Sequence, residues 1–296
     1  MRFAVLGTGF WARAVHAAAL SAHPDAELVA VWGRDPGKAA DVGAEFDVPG
    51  TDDLDAVLAG ADAVSIALPP DVQAPLAERA AAAGKHLLLE KPTGLSLPVA
   101  DRLAAAVRQA GVASVVFFTM RFQPATSTWL AQAARTRLEG GAGSWLGSIA
   151  GSPFAASSWR QEHGALWDVG PHALSLLVPA LGPVTAVQAA AGLRDTVHLV
   201  LHHPGGVTST VTVSATVAPM SAGVEFSVHG DAGRLVLLPQ QDQALASFTA
   251  ALTDLHAAAL TGGAHPLDVH FGRDVVAVLA AAERALATGC RETVEA

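Results

Sequence analysis

A chain of 296 residues is too long for one simple core and fits two domains of ~100–200 residues each. Apolar residues make up 51% and charged residues 15%, which excludes a disordered chain. The net charge of −9 excludes the broad basic surface of a nucleic-acid binder, but not a small phosphorylated ligand, for which one local basic residue suffices.

Residues 2–6 (RFAVL) read as a strand ending at Gly7, and 10–22 have helical spacing. The first 22 residues mimic a signal peptide, with Arg2, an apolar run and small residues. Gly7, Gly9 and Arg13 interrupt that run, so a first strand is the better reading. Strands follow at 27–32, 62–68, 86–89 and 112–118, and helices at 36–46, 52–59, 72–83 and 96–110. Apolar strands alternating with helices predict a parallel sheet covered on both faces. The rhythm changes near residue 119. Residues 124–138 and 166–179 read as helices, and 184–193, 195–203, 207–217, 224–230 and 234–238 as strands. The strict alternation of 207–217 predicts a sheet with one open face, and Pro204-Gly205-Gly206 a turn. Helices at about 241–260 and 269–287 close the chain. The expected architecture is an α/β domain over 1–118 and an α+β domain over 119–296, with the last helix packing back on the first domain.

Cys290 is the only cysteine, which excludes an intrachain disulfide and a thiolate metal cluster and fits a reducing cytoplasm. The absence of tyrosine excludes a phenol-based proton relay. No run of about 18 apolar residues is present, so no membrane span is expected.

Gly7-Thr8-Gly9-Phe10-Trp11-Ala12 is G-x-G-x-x-A between a strand and a helix. The first glycine permits a tight turn, the second lets backbone approach a pyrophosphate, and Ala12 allows close helix–sheet packing. The helix N-terminus offers free N–H groups and positive dipole to phosphates. Gly33 stands where an NAD site usually places its ribose-binding acid, and Arg34 follows. Arg34 pairing with a 2′-phosphate favours NADP; the alternative is NAD, with Asp35 on the ribose and Arg34 in solvent.

Ligands of open α/β sheets bind outside the carboxyl ends of the strands. The apolar run Leu87-Leu88-Leu89 ends there on Glu90-Lys91-Pro92. A lysine so placed can donate a hydrogen bond to a substrate oxygen and lower the pKa of a neighbouring alcohol. The bland alternative is a surface ion pair. Asp168 and His172 lie four apart, so a helix would put them on one face. A histidine beside a carboxylate suits alcohol–ketone interconversion; a helix cap and a core histidine are the alternative.

Six stretches together resemble the Gfo/Idh/MocA oxidoreductases, which include glucose–fructose oxidoreductase and inositol dehydrogenases. They are GTGFWA (7–12), ADAVSIALPP (61–70), AGKHLLLEKPTGLS (83–96), MRFQP (120–124), GALWDVGPH (164–172) and VEFSVHGDAGRL (224–235). The resemblance implies a Rossmann domain followed by an α+β domain with a large, mostly antiparallel open sheet. It implies hydride transfer between NADP or NAD and a carbon bearing a hydroxyl, usually on a sugar or cyclitol. Carried over by position, Lys91 is the catalytic lysine, His172 the general acid/base and Asp168 the supporting substrate carboxylate. The cofactor side comprises Gly7, Gly9, Phe10, Trp11, Ala12, Gly33, Arg34, Asp35, Leu68, Pro69, Glu90 and Lys91. Arg121, Trp159 and Trp167 join the substrate side; for Arg121 the alternative is a helix-initiating or inter-domain ion-pair role, and for the two tryptophans core packing is the commoner use. Two departures stand out. The family commonly has a histidine where this chain has Gln73, and the stretch 125–163 is short.

His198, His202 and His203 suggest a metal only superficially, since no acid stands beside them and the chemistry needs none. Two other readings of the same fold are a glycoside-cleaving enzyme with a retained NAD, and a non-catalytic nucleotide-binding regulator. Conjunction of Lys91, Asp168 and His172 argues against the regulator. A small-molecule substrate is expected, with no nucleic acid or membrane partner. Self-association as a homodimer or homotetramer is expected through the second-domain sheet.

Overall fold

A computed structural model describes residues 1–238 and 243–295. The chain divides into two compact units, Met1–Thr119 with Gln243–Arg273, and Met120–Asp242 with Asp274–Ala296.

The first unit begins with β1 (Arg2–Leu6), a π-helical segment Ala12–Ala17 and α1 (Ala18–Ala22). There follow β2 (Glu27–Trp32), α2 (Pro36–Glu45), β3 (Gly50–Thr51), α3 (Leu54–Gly60), β4 (Ala63–Ile66), α4 (Pro70–Ala82), β5 (His86–Leu89), α5 (Leu97–Ala110) and β6 (Ser114–Val116). All strand pairs are parallel, in the order β3-β2-β1-β4-β5-β6. The order in which strands are added reverses between β1 and β4, which makes the crevice beyond their carboxyl ends the ligand position of such a sheet. The strands are apolar because helices cover both faces, and Leu87, Leu88 and Leu89 are fully buried.

The second unit contains α6 (Pro124–Ala133), β7 (Leu138–Leu146), α7 (Ser158–Asp168), α8 (Gly170–Leu181), β8 (Ala186–Ala191), β9 (Val197–His202), β10 (Thr208–Ser214), β11 (Gly223–Gly230) and β12 (Gly233–Leu237). Next come α9 (Ala244–Thr261), α10 (Val269–Thr288) and β13 (Glu292–Thr293). Its sheet runs β12-β11-β7-β10-β9-β8-β13, antiparallel except for β7 with β10. Along β10, Ser209, Val211 and Val213 are buried while Thr208 and Thr210 are exposed, so the alternation does produce a covered and an open face.

Two expectations need correction. The helix expected over 124–138 stops at Ala133, and its last residue starts β7 instead. This central strand carries three glycines, which lack strand propensity. Glycine is required at Gly143 because an added Cβ would run into the buried Phe226 ring of β11. The helix expected over 166–179 is two helices, α7 and α8, meeting at Val169. Residues Gln243–Arg273, which carry α9 and the start of α10, cluster with the first unit. Phe248 of α9 packs on Phe117 beyond β6, with ring centroids 4.9 Å apart. The first residues of the expected helix 241–260 lie outside the described residues. Among the described residues, no helix is long and apolar enough to cross a membrane.

Candidate active site

Gly7 has φ 138°, and an added Cβ would sit 2.6 Å from the Ala67 carbonyl oxygen at the end of β4. Only glycine lets the two strand exits approach this closely. Gly9 faces open space, and Ala12 is fully buried under the turn. This is the cradle a pyrophosphate needs, so the turn fits a dinucleotide. Phe10 is 52% exposed, Trp11 is half-buried, and Leu68 and Pro69 are half-buried where α4 begins.

At the end of β2, an added Cβ on Gly33 would meet Cγ2 of Thr8 at 2.6 Å, so an acid there would displace the Thr8 side chain. Arg34 is exposed and makes no hydrogen bond or ion pair among the described residues. Asp35 caps α2: its Oδ1 accepts from the N–H groups of Gly37 at 3.0 Å and Lys38 at 3.2 Å. The reading that gives Asp35 the ribose must therefore compete with this cap.

Lys91 leaves β5 through a cis Lys91–Pro92 peptide and is 8% exposed. Its flanking backbone is gripped by fully buried Gln73 of α4. The Gln73 amide accepts from the Glu90 N–H at 2.8 Å and donates to the carbonyls of Glu90 at 2.7 Å and Pro92 at 3.3 Å. One acceptor and two donors on a single planar group match these three main-chain groups; a neutral histidine offers only one of each. The Glu90 carboxylate turns the other way, towards Trp11 and His16.

In the second unit, Gly164 at φ 64° kinks α7. The kink separates the first turns, with Arg160, from the last, with Asp168, yet Nε of Arg160 lies 3.1 Å from Oδ1 of Asp168. The Arg160 guanidinium is held between Phe154 and Trp159, 4.7 and 4.6 Å from their ring centroids. His172 stands in the first turn of α8, its ring stacked on Trp145 of β7 at 4.8 Å and 15°. Asp168 and His172 are thus not four apart on one continuous helix, as expected from spacing; they flank a helix junction, both buried.

Arg121 follows β6 in a short 3₁₀ turn and donates to the Ser175 carbonyl of α8 at 2.7 Å. Its Nε is buried without a partner, and burial pushes the guanidinium down to about 10. Trp167 is 1% exposed and its indole N–H points at Glu283, 3.4 Å away. That is a core position, the commoner use of a tryptophan. Trp159 is buried too, with a ring face given to Arg160. The three histidines near β9 have local partners: His198 with Thr212, His202 with Gln188, His203 with Gly182 and Ser209. Among the described residues no group of three or more His, Cys, Asp or Glu side chains could hold a metal ion.

Sequence reasoning missed His16, the Gln73 grip, Trp145 and Arg160. Only Gln73 carried a signal, as a departure from the family pattern.

A doubly wound sheet with this glycine turn, followed by a second unit built on an open sheet, defines an oxidoreductase that binds a nicotinamide dinucleotide. Residues 1–118 match the family model described as an oxidoreductase family with NAD-binding Rossmann fold, and residues 144–236 match the GFO/IDH/MocA C-terminal domain. The chain belongs to the Gfo/Idh/MocA family, and its named relatives are dehydrogenases and reductases. It is 31% identical over 257 residues to dTDP-3,4-didehydro-2,6-dideoxy-alpha-D-glucose 3-reductase of Streptomyces antibioticus, covering 80% of this chain and 75% of that one. It is 36% identical over 126 residues to inositol 2-dehydrogenase of Rhizobium meliloti, covering 42% and 38%. The same fold occurs in levoglucosan dehydrogenase in complex with NADH and levoglucosan, with TM-score 0.88 at 19% identity over 100% of this chain and 99% of that one.

Proposed function

We propose that the protein is an NADP-dependent dehydrogenase or reductase acting on a hydroxyl or carbonyl carbon of a sugar, cyclitol or related small polyol. The observation that carries this is the strand exit at Lys91, a buried lysine whose neighbouring main chain is pinned by Gln73 at the carboxyl edge of a dinucleotide-binding sheet. The bound nicotinamide supplies or accepts the hydride. Lys91 donates a hydrogen bond to the reacting oxygen and stabilises its negative charge. His172 is the residue assigned the proton transfer, its ring plane set by Trp145. Asp168, steadied by Arg160, accepts from an adjacent substrate hydroxyl. Sugar substrates are supported by the names of the relatives above.

NADP is favoured over NAD because Arg34 is exposed beside Gly33 while Asp35 is engaged as a helix cap. The open face of the second unit's sheet is the surface assigned to self-association with a second copy, to be checked by light scattering, and the protein is assigned to the cytoplasm.

The test is titration with NADPH and, separately, NADH, followed by nicotinamide fluorescence. NADPH should bind more tightly, and Arg34→Ala should weaken NADPH by about 10–100-fold while leaving NADH unchanged, since one charge-assisted pair contributes about 1.5–3 kcal/mol. Equal NADPH binding by Arg34→Ala would end the NADP assignment. A parent that binds neither cofactor would end the catalytic one.

A further inference from the structure

A buried polar cluster beneath the glycine turn has no role in the chemistry above. Oε1 of Glu90 accepts from the Trp11 indole N–H at 2.7 Å and lies 3.1 Å from Nε2 of His16. Nδ1 of His16 lies 2.8 Å from the Ser65 hydroxyl on β4. His16 and Ser65 are fully buried, and the Phe248 ring of α9 closes over the imidazole at 4.2 Å. A carboxylate only accepts, so His16 donates through Nε2. Leaving any one of these groups without its partner would cost about 1–3 kcal/mol, so the cluster holds as a unit.

Helix register explains how one oxygen reaches both residues. Trp11 and His16 are five apart, and in α-helical spacing their side chains would point about 140° apart. The segment Ala12–Ala17 is π-helical instead. Closure from i to i+5 swings residues five apart towards one side, and such segments recur at functional sites. The register departs from α where Glu90 needs both partners.

From this we infer that Glu90 is a positioning residue: it ties the phosphate-binding turn to the strand exit that carries Lys91, so that seating the dinucleotide and placing Lys91 are one event. The inference rests on the roles proposed above for the glycine turn and Lys91. Gln73 makes the tie effective, because it grips both main-chain groups of Glu90 and lets no slack form between that carboxylate and Lys91.

The chain has three lysines, Lys38, Lys85 and Lys91, so acetylation by acetic anhydride, mapped by peptide mass spectrometry, reads Lys91 against two internal controls. Glu90→Ala, Glu90→Gln and Trp11→Phe are compared with the parent, with folding checked by circular dichroism. In cofactor-free protein, Glu90→Ala should label Lys91 several-fold faster relative to Lys85, and added NADPH or NADH should no longer slow that labelling. Turnover should fall about 10–100-fold, as expected for a slightly misplaced catalytic group. Glu90→Gln keeps an oxygen for both N–H donors and should recover most of the loss, while Trp11→Phe removes one tie and should fall between. Parental labelling of Lys91 in Glu90→Ala, or a Glu90→Gln variant as damaged as the alanine variant, would overturn the inference. Should Glu90→Ala not fold, parental labelling in Trp11→Phe would overturn it equally. A parent that binds neither cofactor overturns the proposed function alone, because the cofactor-free labelling contrast still decides the role of Glu90.

Discussion

Lys91 and His172 are held in place by different means. Lys91 follows three fully buried leucines of a parallel strand, and the main chain around it is pinned by one side-chain amide. His172 sits at a helix junction, and its ring is oriented by an indole from a different element. Its neighbour Asp168 is steadied by an arginine that two aromatic rings hold in turn. Main-chain fixation leaves little freedom, whereas side-chain fixation can be retuned by one substitution.

The sharpest way to break this contrast is Lys91→Ala. Turnover should fall by at least about 10³-fold, combining lost electrostatic and acid–base assistance, with folding intact. An initial-rate assay at saturating cofactor that kept most of the parent's turnover would remove Lys91 from the chemistry.

Next in size is Asp168→Ala. It leaves the Arg160 guanidinium without its carboxylate and should cost about 3 kcal/mol of stability in urea unfolding. The double variant with Arg160→Ala should cost less than the sum of the two single changes. Strict additivity would show that the pair does not act as one.

Gln73→Ala addresses the main-chain side of the comparison. It strips partners from Glu90 and Pro92 and should cost about 1–3 kcal/mol in urea unfolding, together with a loss of turnover. A fully stable and active Gln73→Ala protein would remove the basis for calling that site rigid. Trp145→Leu should be milder: about 0.5–1.5 kcal/mol of ring stacking, read as up to about a tenfold drop in kcat with the cofactor Kd unchanged.

The smallest effect concerns pH. Burial holds the His203 pKa below its ordinary 6.5, despite the opposing effect of the Gly182 carbonyl. The unfolded chain therefore binds more protons than the folded one just below 6.5. Stability should decline as pH falls from about 6.5 towards the folded value, and be unaffected above it. Thermal melts of His203→Gln should show a shallower decline; an unchanged slope would assign it to other groups.

The first unit was the more legible in sequence. Strand 86–89 coincides with His86–Leu89, because buried parallel strands are apolar throughout. The alternation of 207–217 likewise located Thr208–Ser214. By contrast, β7 was invisible: one of its glycines, Gly143, admits the Phe226 ring, a demand set by a strand some eighty residues later. The partners of the site side chains were hidden for the same reason. His16 lies 74 residues from Glu90 in sequence, and no local pattern joins them. Nor does anything in ARAVHA announce a π register, which arises from where its side chains must reach.

The indoles described above have an optical consequence. With six tryptophans and no tyrosine, protein emission excited in the indole band comes from tryptophan alone. Trp11 is hydrogen-bonded to Glu90 beside the glycine turn, and Trp32 donates to the Asp52 carbonyl at the end of β2. Trp145 lies on His172. The protein thus carries its own chromophores at the dinucleotide turn and against the candidate acid/base, and single Trp→Phe changes would separate the two signals without any attached dye.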